Sequence, residues 1–200
     1  MRILGFLLAL LAVIGMAPTT WATDNDHDNH HKLKARLSGF NEVHPPTLGI
    51  GAIFSTGSGK IRLRIDTKDR EVHFKLTYAF PDASDTPLVG TQFVNQAHFH
   101  FGQESTTGGI FVWLCQSADN PAPAAVAAGT PMCPSPSGTV AGSITPAKVL
   151  ALPSSGFPGG EAGFDALLAA LGSDAIYANV HTDRFPSGEI RGQVGDNNDH

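Results

Sequence analysis

Residues 59–66, GKIRLRID, alternate with period two: Ile61, Leu63 and Ile65 point one way, Lys60, Arg62 and Arg64 the other. A few residues on, EVHFKLTY repeats the pattern with Val72, Phe74, Leu76 and Tyr78. Side chains of an extended strand leave on opposite faces in turn, so this alternation specifies strands buried on one side, not helices. The intervening TKDR is a turn, and the two runs predict a hairpin.

The rest of the chain continues in the same manner. KARLSG, IGAIFSTG, TQFVNQAHFHFG, GGIFVWLC, GTVAGSI, AIYANVHT and GEIRGQV are further strand candidates. The nearly continuous apolar run GGIFVWLC reads as a strand buried on both faces. Gly (22) and Pro (14) recur between these short runs, which favours many turns and a β-rich fold. TPAKVLAL opens with Thr145 as a candidate N-cap and Pro146 at a first helical position. GFDALLAALG places Phe164, Leu167, Leu168 and Leu171 at helical spacing and stops at Gly172. Seven or eight short strands with one or two late helices predict an all-β, antiparallel Greek-key β-sandwich.

The ends are of a different character. Arg2 followed by the apolar run Ile3–Gly15 and then small residues reads as a secretory signal over residues 1–22. The run is shorter than the about 20 residues a membrane span needs. Residues 23–33, containing DNDHDNHH, read as a flexible His- and Asp-rich tail. The folded domain is expected over 34–195, with a disordered C-terminus at 196–200. Export predicts a periplasmic or secreted protein. In such a compartment Cys115 and Cys133 are expected to pair, closing a Pro- and Ala-rich loop that looks bland and flexible. The net charge of -5 and the lack of any long basic stripe along the sequence argue against nucleic acid or an anionic membrane as partner.

The candidate chemistry lies in QAHFHFGQ. Strand phase places Ala97, Phe99 and Phe101 on one face and His98 with His100 on the other. Two imidazoles at that spacing can converge on one ion. In AIYANVHT, Ile176, Ala178 and Val180 face inward, so His181 shares the polar side with Tyr177 and Asn179. His98, His100 and His181 are therefore candidate metal ligands, and His44 in EVHPP is a candidate fourth. Thr182 and Asp183 are candidates to orient a ligating ring. Arg191 and Glu189 share a face of the last strand, either as an ion pair or, for Arg191, as a cation drawing in a small anion. Nitrogen ligands suit copper and zinc, and the affinity order puts copper first.

LSGFNEVHPP, QAHFHFGQ followed by GGIFVWLC, GTVAGSI, and NVHTDRFPSGEIRGQV resemble, in order, the motifs of the CHRD domain, widespread in exported bacterial proteins. The resemblance spans roughly Lys34 to Val194 and implies a β-sandwich and an exported setting. The inserted His44 departs from the family pattern, which usually runs from Glu-Val directly to Pro. HFHFGQ is also similar to the copper-binding strand of copper-zinc superoxide dismutases. That second resemblance implies copper on His98, His100 and His181, with Arg191 steering superoxide. It finds no counterpart for the zinc subsite. The expected function is thus metal binding, with copper-only superoxide dismutation as its catalytic form. The alternative is a non-catalytic interaction module whose histidines are structural.

Overall fold

The computed structural model describes residues 31–44, 51–81 and 93–195. Residues 1–22, expected to be a secretory signal, most of the segment expected to be a His-rich tail, and residues 196–200 lie outside them. Eight strands form a single antiparallel sheet: β1 (Lys32–Ser38), β2 (Ser58–Asp66), β3 (Glu71–Ala79), β4 (Val94–Phe101), β5 (Gly109–Cys115), β6 (Ser137–Ile144), β7 (Ile176–Thr182) and β8 (Ile190–Gln193). Their order across the sheet is β5-β4-β7-β8-β1-β2-β3-β6. The edge strands β5 and β6 approach each other, so the sheet nearly closes on itself. Counting that closure, the β3–β4 and β6–β7 connections each pass over two strands, which is Greek-key topology. The expected all-β antiparallel fold is observed, as one continuous hydrogen-bonded sheet rather than two separate ones.

The alternating runs do what their period dictates. Leu33, Ala35 and Leu37 of β1, Ile61, Leu63 and Ile65 of β2, and Val72, Phe74, Leu76 and Tyr78 of β3 all point into one core. Ala97 and Phe99 of β4 and Ile176, Ala178 and Val180 of β7 complete it from the other side. The 12-residue helix α2 (Gly160–Leu171) adds Phe164, Leu167 and Leu171 to the same core and stops at Gly172, as its spacing predicts. Arg70, from the β2–β3 turn, holds this helix through Glu161 and Asp165.

Three local expectations are corrected. The first strand begins at Lys32, inside the segment expected to be tail. Residues 51–57 of IGAIFSTG form no strand; Ile53 is buried there, its N–H donating to the Gly39 carbonyl. TPAKVLAL forms only a three-residue 3-10 turn, Pro146–Lys148, with no side-chain cap from Thr145.

Cys115 and Cys133 are joined as a disulfide. The loop between them is not loose. It contains a short helix, α1 (Ala124–Ala127), and the Gln116 amide donates to the carbonyls of Ala127 and Thr130 while accepting from Ala122 N–H. With the bonded cysteines 18 residues apart, replacing both by alanine is expected to cost about 3 kcal/mol. A thermal melt should fall by about 6–12 °C, at roughly 2–4 °C per kcal/mol for a domain of this size.

Candidate metal centre

On the outer face of the sheet, register aligns one row across five strands. Trp113 of β5 lies opposite His98, His98 opposite Asn179, Asn179 opposite Arg191, and Arg191 opposite Ser38. His100 pairs with Tyr177, and His181 with Gln96. The phase argument for the histidines therefore holds, but their environment differs from a solvated face. His98 is fully buried, and His100 and His181 are 8 % and 5 % exposed.

Two loops and a ring of side chains supply the cover. The first loop, residues 102–108, is drawn over β4 and β7. The Arg191 guanidinium donates to the carbonyls of Thr106 (2.7 Å) and Gln103 (3.0 Å), and the Gln193 amide donates to that of Gly102 (3.1 Å). Gly108 N–H donates to the Tyr177 hydroxyl at 3.1 Å. The second loop, residues 184–189, is held at Gly188, whose carbonyl accepts from His44 Nε2 at 2.9 Å. Gly188 has φ +121°, and a side chain there would collide with Asn179 and Glu42. Trp113 packs edge-on against His98 with ring centroids 4.4 Å apart. Tyr177 stacks on His100 at 4.6 Å and 7°, and the Arg191 guanidinium lies 3.4 Å over the other face of Tyr177.

These covers also set the rings. A carbonyl only accepts, so His100 Nδ1 carries the proton it donates to Gly108 O (3.0 Å), and His181 Nδ1 the one it donates to Pro186 O (2.9 Å). In the neutral ring this leaves Nε2 of each as a bare lone pair. Both Nε2 atoms are buried without a partner, as are both ring nitrogens of His98. One nitrogen from each of the three rings lies within 4.8 Å of the others. Two bonds of about 2.0 Å span about 4 Å at most, so a turn of each ring by under an ångström brings them to a shared ion. Three unpartnered nitrogens, two of them on rings oriented by carbonyls at the opposite nitrogen, could hold a metal ion.

Burial suppresses protonation here. Removal from water pushes His100 down to about 3 and His181 to about 4, and holds His98 well below the ordinary histidine value. The rings are therefore neutral, ligand-competent donors at neutral pH. The sign for stability follows: below about 6.5 the unfolded chain binds protons that the folded chain refuses. The metal-free protein should lose stability progressively as pH falls from about 6.5 towards 4, each ring contributing at most about 1.4 kcal/mol per pH unit. Glu42, raised by its own burial, opposes this in part. Thermal melts across that range check the prediction, and replacing the three histidines should flatten the profile.

The other candidates separate clearly. His44 is buried but lies outside the three-histidine group; its ring tethers Gly188. Thr182 does not orient a ligand: its hydroxyl donates to Glu189, as does that of Ser55. Asp183 is exposed, and the orienting partners are the backbone carbonyls of Gly108 and Pro186. Arg191 and Glu189 form no ion pair. Both are buried, Glu189 bonded to hydroxyls and Arg191 to carbonyls and the Tyr177 ring. Glu42 went unrecognised in the sequence. Its carboxylate accepts from Asn179 (2.6 Å) and Val43 N–H (3.0 Å), so it fixes the 41–44 segment to β7.

A nearly closed antiparallel barrel with a buried three-histidine cluster and one disulfide defines the class of protein. The CHRD domain family model matches residues 33–194, and the chain belongs to that family. No curated protein and no solved structure matches it, and the resemblance to the superoxide dismutase copper strand is not confirmed. Among the described residues no helix is long and apolar enough to cross a membrane.

Proposed function

We propose that this protein is an exported metal-binding member of the CHRD family, holding one copper ion through His98, His100 and His181. The observation that carries the reading is the set of buried nitrogens. Leaving bare lone pairs out of water without partners is costly, and an ion relieves all three rings at once. Copper leads because nitrogen donors without carboxylate or thiolate favour it in the divalent series; zinc is the competitor. The disulfide and the signal-like N-terminus support a periplasmic or extracellular setting.

Bound copper supplies one-electron chemistry of the kind superoxide dismutation uses. In that catalytic form, Arg191 places a positive charge one stacked ring from His100 and favours an approaching anion. Its amino groups meanwhile hold the loop that sets His100.

Titration of the mature, untagged protein with Cu(II) and Zn(II) tests the reading. One equivalent is expected to bind, Cu(II) more tightly, with quenching of Trp113, whose ring lies against His98. No saturable binding of either ion overturns it. Superoxide decay in the loaded protein, no faster than with equal free copper, removes the catalytic form and leaves the binding form standing.

A further inference from the structure

Along the chain the lysines and arginines form no stripe; across the sheet they do. β1, β2 and β3 are neighbours, and their registers align outward-facing residues in rows. Lys32 lies opposite Arg64, which lies opposite His73. The next row joins Lys34, Arg62 and Lys75. The third sets Arg36 beside Lys60, with Thr77 beyond. The residues between them, such as Leu33, Leu63 and Phe74, are buried, so these side chains point out.

Seven of the chain's 13 lysines and arginines thus share one face of three strands, in a protein of net charge -5. At about 4.8 Å between strands and about 6.7 Å between alternate residues, the grid measures about 10 by 13 Å. Like charges directly opposite across antiparallel strands oppose the pairing, and four such pairs occur here. The neighbouring outer face of β6, with Thr139, Ala141 and Ser143, shows the neutral alternative. The acids on these strands, Asp66 and Glu71, sit together at the turn end, near Arg64 and His73 respectively.

We propose that this face binds a linear anionic polysaccharide. Charge complementarity calls for a polyanion. The grid presents no aromatic platform on which bases would stack and no apolar side chain to enter a bilayer. A disulfide-bonded chain works in an oxidising compartment, where envelope and matrix glycans are the ordinary polyanions. The face lies on β1–β3, away from the histidines on β4 and β7, so it stands independently of the metal reading.

The test uses the mature protein with labelled heparin and alginate fragments, read by anisotropy at about 50 and 200 mM salt. Affinity is expected to fall steeply with salt. The triple variant Lys60→Gln, Arg62→Gln, Lys75→Gln should weaken binding by about tenfold or more and flatten the salt slope. Lys68→Gln with Arg184→Gln, exposed and off the grid, should change neither. The triple variant should also melt higher than the parent, because repulsion is relieved. Undiminished binding by that variant, or a lower melting point, overturns the proposal. So does tighter binding of the parent to phosphatidylglycerol vesicles or duplex DNA than to either glycan.

Discussion

Replacing His98, His100 and His181 together by alanine is expected to weaken Cu(II) binding by more than about 100-fold. The magnitude follows from the neighbourhood of the rings: loss of a single outer partner of a ligating ring already costs about 10–100-fold, and here all three donors go. The apo fold should survive. The three rings face outward from the core that Phe99, Ala178 and Val180 build on the other side of β4 and β7. The variant also removes nitrogens that lack partners, so its melting point without metal should stay close to the parent's while the shift produced by copper vanishes. For the parent, an ion at about 100 times its dissociation constant adds about 2.7 kcal/mol. Calorimetric titration and paired melts decide the matter: a triple variant that still binds one equivalent with parental affinity would place the ion elsewhere.

A single methyl group on Gly108 is expected to cost about 10–100-fold in metal affinity without touching a ligand. A Cβ at this position would sit 1.9 Å from the Phe101 carbonyl oxygen and 2.6 Å from its carbon. Neither partner is a side-chain tip that can swing aside; both strands of the β4–β5 hairpin would have to part. The Gly108 carbonyl then leaves His100 Nδ1, and its N–H leaves the Tyr177 hydroxyl. His100 loses the bond that fixes its tautomer and direction. Gly51→Ala, with no atom within 4 Å of the added carbon, is the control. Unchanged affinity in Gly108→Ala alongside a lowered melting point would show that the loop stabilises the hairpin but does not orient the ring.

Much of this architecture could be read in advance because it is carried by period two. Ile61, Leu63 and Ile65 could only be a core face, and the same phase put His98 and His100 opposite Phe99. Tyr177 and Asn179 fell on the side of His181 by that argument too. What could not be read depends on atoms or registers that residue identity does not encode. The carbonyls of Gly108 and Pro186 are backbone groups, available to any side chain that folding brings near them. The burial of the histidine face comes from loops held by Arg191, Gln193 and His44, and nothing local in those residues specifies where they reach. Glu42 sits in an irregular segment without periodicity. The basic grid was half visible in Lys60, Arg62 and Arg64, but only pairing of β2 with β1 and β3 turns a strand's outer face into a charged field.

The loops over the histidines also govern time. No ring of the three offers more than a sliver of surface to solvent, so an ion held there leaves only when loop 102–108 or loop 184–189 lifts. Arg191 and Gln193 tie down the first, and His44 and Gly188 the second. Release to a strong chelator should therefore proceed at the rate of that local opening, independent of chelator concentration once it is in excess. For an ion held there, the rings and the carbonyls that orient them would decide how tightly it is held, and the fastenings of two loops would decide for how long.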